Sequence, residues 1–136
     1  MIYHTNRMSL KSNVTQEQLD EAMRRFREQG AMPMVKSFFL GREHGTEFDW
    51  AAVFVLEDLD AYWEYLTHPS HAKSQEYGVP LMEKFEAFDI SDDPDTELTS
   101  KIADLQRRNY EADPHLVTLM SGLASHTGSS ALSHTE

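Results

Sequence analysis

The sequence predicts an α+β fold of the ferredoxin-like type, βαββαβ, extended at its C-terminus by helices. Two observations carry that expectation. Four short segments read as strands and two longer ones carry apolar residues at helical spacing, in the order strand, helix, strand, strand, helix, strand. One strand candidate, residues 48–56 (FDWAAVFVL), is apolar on both faces, so it is central in its sheet or its sheet is covered on both faces.

Each element has its own warrant. In residues 1–10, Ile2, His4, Asn6, Met8 and Leu10 share one strand face, and Tyr3, Thr5, Arg7 and Ser9 share the other. Thr15 and Gln18 form a capping box for a first helix, whose buried stripe is Leu19, Ala22, Met23 and Phe26. Gly30 and Pro33 end it. Residues 34–42 read as a strand and 43–47 as a turn. In 48–56, Phe48, Trp50, Ala52, Phe54 and Leu56 point one way, and Ala51, Val53 and Val55 the other. Asp58 is the N-cap of a second helix with Leu59, Tyr62, Trp63 and Leu66 inward, which stops at His68 because Pro69 disfavours helical geometry there. Ser70 caps a further helical turn to Tyr77, and residues 85–90 are a short last strand. With the helices on one face of an antiparallel sheet, the apolar second face is expected to meet another copy of the chain in a homodimer.

The acidic stretch 91–97 closes this unit, giving a domain over 1–92, a helical arm over 93–124 and a flexible tail over 125–136. Leu98, Ile102 and Leu105 mark an amphipathic helix over 96–112, Pro114 breaks it, and Leu116, Leu119, Met120 and Leu123 mark another. The arm is expected to clasp the partner subunit or to cover a pocket mouth.

Composition excludes several functions. The 136 residues carry a formal net charge of -11, opposing both nucleic acid and anionic membrane surfaces. There is no cysteine, so no disulfide, thiolate metal site or cysteine nucleophile. The longest apolar run, Trp50 to Leu56, is too short to span a bilayer, and the first residues lack a signal peptide's apolar stretch. A cytoplasmic protein is expected.

The chemistry concentrates in EYLTHPSHAKSQEY, residues 64–77. His68 and His71 are separated by a helix boundary and lack an evident third ligand, so no metal is expected. Their plainer role is to cap helix ends or face solvent, with Tyr65 a half-buried aromatic. The sharper reading notes that Tyr65 and His71 flank one break and can converge. A neutral histidine is a competent base near pH 7, and a tyrosine hydroxyl can stabilise an oxyanion. His4 and Asn6 share a strand face with apolar neighbours; they either sit solvated at the sheet edge or serve as polar groups of an apolar pocket. The last strand lies beside the first, so Asp89 can orient His4.

Over about residues 1–92 the chain resembles the stress-responsive dimeric α/β-barrel (Dabb) family. The likeness rests on the opening His4 strand, VKSFFLGRE, the FDWAAVFVLEDLDAYWEYLTHPSH block and PLMEKFEAFD, with YLTHPSH the most specific piece. The resemblance is greatest to the family's cofactor-free polyketide cyclases, which close a linear poly-β-keto thioester by aldol condensation. It implies Tyr65 and His71 as catalytic residues, His4 as a pocket histidine and Asp89 as the aspartate of the last strand. Trp50 stands where the cyclases have another pocket histidine, and Phe26 and Met82 replace a pocket tyrosine and tryptophan. The expectation is a cofactor-independent cyclase or lyase acting on a small polyketide-like or phenolic carbonyl compound. His71 is its base, Tyr65 its oxyanion donor and His4 a further catalytic group. Asn6, Phe26, Trp50 and Met82 contact substrate, and Asp89 and His68 support. The alternatives are a non-catalytic stress-responsive dimer and a cofactor-free oxygenase of phenolic substrates.

Overall fold

The structure is a computed structural model and describes residues 1–132. The chain runs β1 (Ile2–Leu10), α1 (Gln16–Gly30), β2 (Val35–Arg42), β3 (Trp50–Leu56), α2 (Leu59–Thr67), α3 (Pro69–Gly78), β4 (Met82–Ser91), α4 (Leu98–Ala112), α5 (Pro114–Ser121) and β5 (Ser125–Gly128), with one 3₁₀ turn at Val79–Leu81. The strands form one sheet in the order β2-β3-β1-β4-β5. The first four pair antiparallel, the ferredoxin-like arrangement, with β1 central between β3 and β4.

Alternation along β1 sets the two faces. Ile2, His4, Asn6 and Met8 are buried under the helices, opposite Leu56, Phe54, Ala52 and Trp50 of β3. His4 also lies opposite Asp89 of β4. On the other face Tyr3, Phe39 and Ile90 are large, apolar and exposed. There Arg7 bridges Glu43 and Glu86 and lies over the Phe48 ring at 4.5 Å.

Local chemistry places the helices. The Thr15 hydroxyl accepts from the Gln18 amide and the Gln18 side chain accepts from the Thr15 amide, closing the expected capping box. Gly30, at the last turn of α1, admits the Phe38 ring, which would stand 2.2 Å from a Cβ. Asp58 caps α2, and Pro69 separates α2 from α3. The helix after the break is longer than expected, Pro69–Gly78, and its N-cap is His68 rather than Ser70.

The arm packs on its own domain. Ile102 and Leu105 of α4 belong to the main core, with Phe54, Tyr62 and Leu66. Val79, Tyr110, Leu116 and Met120 form a separate small cluster. The expectation of a flexible tail from 125 is corrected for the described residues: Ser125–Gly128 pair parallel with Lys84–Ala87 of β4. The physical reason is that a β4 edge offers free backbone groups, and a strand of small polar residues can satisfy them without burying side chains. Residues 133–136 of that expected tail lie outside the described residues. Gly128 makes the approach feasible: its φ is +89° and an added Cβ would stand 1.8 Å from the Ala87 carbonyl oxygen. Gly128→Ala is therefore expected to release β5 and cost about 1–3 kcal/mol, measurable by urea unfolding.

Candidate active site

The sheet and α2 bring the first group together. The His4 ring is held by Asp89, with Nδ1 2.8 Å from Oδ1, and both side chains are nearly sealed from solvent. A carboxylate on Nδ1 makes that nitrogen the donor and leaves Nε2 with a lone pair. The Tyr62 hydroxyl donates to the same carboxylate, 3.0 and 3.2 Å from its oxygens, and stands 2.8 Å from His4 Nδ1. The Tyr62 oxygen accepts from Gln106 Nε2 of α4 at 3.3 Å. Burial first, then the Asp89 charge, raises the Tyr62 hydroxyl well above its usual range, so it remains a donor.

The second group lies at the helix break. The Tyr65 ring sits between two imidazoles, 5.4 Å from His4 and 4.8 Å from His71 between centroids. Its hydroxyl accepts from Gln29 and from Asn6, and burial keeps it protonated. That leaves Asn6 Oδ1 buried without a hydrogen-bond partner among the described residues. His71, also buried, donates to the Leu66 carbonyl; burial, then the neighbouring His4, pulls its pKa down from 6.5 to about 3. At neutral pH His71 is therefore uncharged.

Two internal cavities of about 20 Å³ each adjoin these groups. His4, Asn6 and His71 border the first; Asn6, Gln29 and His71 border the second. Each volume suits about one water. Phe26 and Met82 line the second cavity. Tyr65 adjoins both histidines but lines neither cavity; its hydroxyl is bonded to Gln29, which lines the second.

Two expected site residues stand elsewhere. Trp50 lines neither cavity, and its ring lies 4.5 Å below the Arg42 guanidinium. It is four strand residues from Phe54, the partner of His4, hence about 13 Å along the sheet. His68 caps α3, its Nδ1 accepting from the Ser70 amide at 3.1 Å, and also lines neither cavity. Among the described residues no group of three or more histidines and carboxylates could hold a metal.

Sequence reasoning missed Tyr62, Gln29, Gln106 and Asn109. Tyr62 reads as one more core aromatic. The amides carried a signal: Gln29 follows Phe26 on the buried stripe of α1, and Gln106 and Asn109 continue the Ile102, Leu105 stripe of α4, and all three are buried.

Comparison with known proteins agrees with this architecture. The family profile of the stress responsive A/B barrel domain matches residues 2–92. No curated protein sequence matches. A dimeric ferredoxin-like protein of unknown function from Thermobifida fusca has 21% identity and a TM-score of 0.60, covering 66% of this chain and 89% of its own. The hydroxynitrile lyase from Passiflora edulis has 18% identity and a TM-score of 0.60, covering 68% and 94%. SnoaB, a cofactor-independent oxygenase from Streptomyces nogalater, has 19% identity and a TM-score of 0.54, covering 66% and 90%. These likenesses show the shared fold. No helix among the described residues is long and apolar enough to cross a membrane.

Proposed function

The chain belongs to the stress responsive A/B barrel family, and from that premise we propose that it is a cofactor-independent enzyme that makes or breaks a carbon–carbon bond in a small carbonyl compound by acid–base catalysis. The observation that carries this reading is the buried His4–Asp89 pair at the edge of a cavity shared with Asn6 and His71. A hydroxynitrile lyase and a cofactor-independent oxygenase on the same fold support it.

The roles follow from charge. A base must carry a proton in the transition state, and a buried imidazolium needs an anion beside it. His4 has Asp89 at 2.8 Å. His71 is buried, with the Leu66 carbonyl as acceptor and His4 and His68 as unfavourable neighbours, and protonates with difficulty. We therefore assign the base to His4 rather than His71. His4 Nε2 takes the proton from a carbon next to a carbonyl. The enolate carbon attacks a second carbonyl, forming the carbon–carbon bond, and the resulting alkoxide recovers the proton from His4. The reverse sequence cleaves the bond. Tyr65 accepts from two amides and, with the site opened by substrate seated against His4 and His71, offers its own hydrogen to the enolate oxygen; His71, uncharged, accepts from a substrate hydroxyl. The exposed apolar residues Tyr3, Phe39 and Ile90 mark the sheet face that a second copy covers, in keeping with relatives described as dimeric.

The test is turnover of β-diketones, β-hydroxy ketones and cyanohydrins by the purified protein without added cofactor. Tyr65→Phe keeps the ring and removes one oxyanion donor, and is expected to lower kcat by about 10²–10³. No turnover of any of the three classes, or unchanged rates in Tyr65→Phe and His4→Ala, overturns the reading. Oxygen uptake with phenolic ketones instead would move the same site to oxygenase chemistry.

A further inference from the structure

The two cavities are sealed from one side by the arm. Leu116 of α5 borders the first and Met120 borders both. Gln106 and Asn109 of α4 border the first as well. The two helices are fixed very differently. α4 is anchored in the main core through Ile102 and Leu105 and bonded to Tyr62 through Gln106. The buried residues of α5, Leu116 and Met120, belong to the small separate cluster. Between the helices Asp113 leaves helical geometry (φ -137°, ψ 84°) and Pro114 follows. Beyond the cluster, α5 is tied to α3 by the exposed pair His115–Glu76.

We propose that α5 is a lid over the site, hinged at Asp113 and at its C-cap Gly122 between the fixed α4 and β5, and that Leu116 and Met120 are the apolar substrate contacts that it carries. The inference rests on the proposed catalytic reading of that site. Space for about one water per cavity makes this arrangement the closed state. A carbonyl substrate with two reacting centres enters only when α5 lifts from the site between its two tethered ends. Gln106 and Asn109 stay behind on α4 as fixed polar contacts. Leu116 and Met120, four residues apart, present one helix face and press on the bound substrate when the lid returns. The chemical class that fits is an uncharged molecule: the closing surface is apolar and the fixed groups are amides.

The chain has no cysteine among its residues, so one engineered thiol reports access without a substrate. S74C puts it in the wall of the second cavity, where Ser74 is buried; S100C is an exposed reference. Labelling by N-ethylmaleimide is followed by intact-protein mass. The S74C thiol is expected to react far more slowly than S100C, with little dependence on sub-denaturing urea, as for a local opening. Adding L116A is expected to speed it about tenfold, and E76Q, which leaves the apolar contacts intact, to speed it less. Far-ultraviolet circular dichroism confirms that each variant is folded. Three results would overturn the lid: S74C as reactive as S100C, a rate unmoved by both L116A and E76Q, or a urea slope equal to that of global unfolding. None depends on turnover, so a lid without catalysis and catalysis without a lid are separate outcomes.

Discussion

Asp89→Asn is expected to lower kcat by about 10²–10⁴ with little change in KM and a small change in stability. The substitution is isosteric, and the amide oxygen can still accept from Tyr62. The amide nitrogen, however, cannot accept from His4. It would donate to Nδ1 instead, moving the ring hydrogen to Nε2, the atom required to be bare. The imidazolium formed during the reaction would also lose its only carboxylate, which now lies 2.8 Å away. Histidine ¹⁵N shifts read the tautomer directly and need no substrate. Wild type should show Nδ1–H at His4, and the variant Nε2–H. If the tautomer moves and activity stays, His4 is not the base; if neither moves, the contact does not orient the ring.

The second large effect is on stability. The folded protein should lose several kcal/mol as pH falls from about 6.5 to about 3, through His71 alone. In the unfolded chain this imidazole has its ordinary pKa near 6.5, whereas folding pulls it down to about 3. Between those values the unfolded chain holds a proton that the folded chain does not, so stability rises with pH across the window. It is fully present above 6.5 and falls by about 1.4 kcal/mol per pH unit below it. The groups around His71 set the direction. His4 with Asp89 behind it, Tyr65 and His68 are the titratable neighbours. From α1, α4 and α5 the cavities are bordered by Phe26, Gln29, Gln106, Asn109, Tyr110, Leu116 and Met120; Tyr110 is the titratable one, and burial keeps its hydroxyl protonated. His71→Gln should flatten the urea-unfolding profile between pH 6.5 and 5, where carboxylates contribute little. An unchanged slope would mean that water reaches the ring in the folded state.

Much of this arrangement was legible in the sequence. The capping box, the proline break and the alternation in β1 are local signals, and the structure follows them. His4, Asn6, His71 and Asp89 were legible because strand order places the first strand beside the last, and the helix break beside both. Tyr62 was not, because an aromatic on an apolar stripe reads as core whether or not its hydroxyl has a partner. Its partner is on β4, 27 positions away. Trp50 was misplaced because matching by sequence ignores the distance that four strand residues span. β5 escaped notice because it is held by backbone groups, to which composition is blind.

The two rims of the sheet are unequal. On one side lies β2, eight residues long; on the other lies β5, only four, ended by the left-handed Gly128 and by Ser129, whose amide turns back to the Ala87 carbonyl. A foreign strand laid against β5 would find too few free backbone groups to hold it before the chain curls away. Edge-to-edge ribbon growth needs two usable rims per molecule, and this one offers a single rim. Concentrated solutions should therefore resist fibril seeding by native-state pairing for as long as β5 stays docked, and Gly128 is the residue that keeps it there.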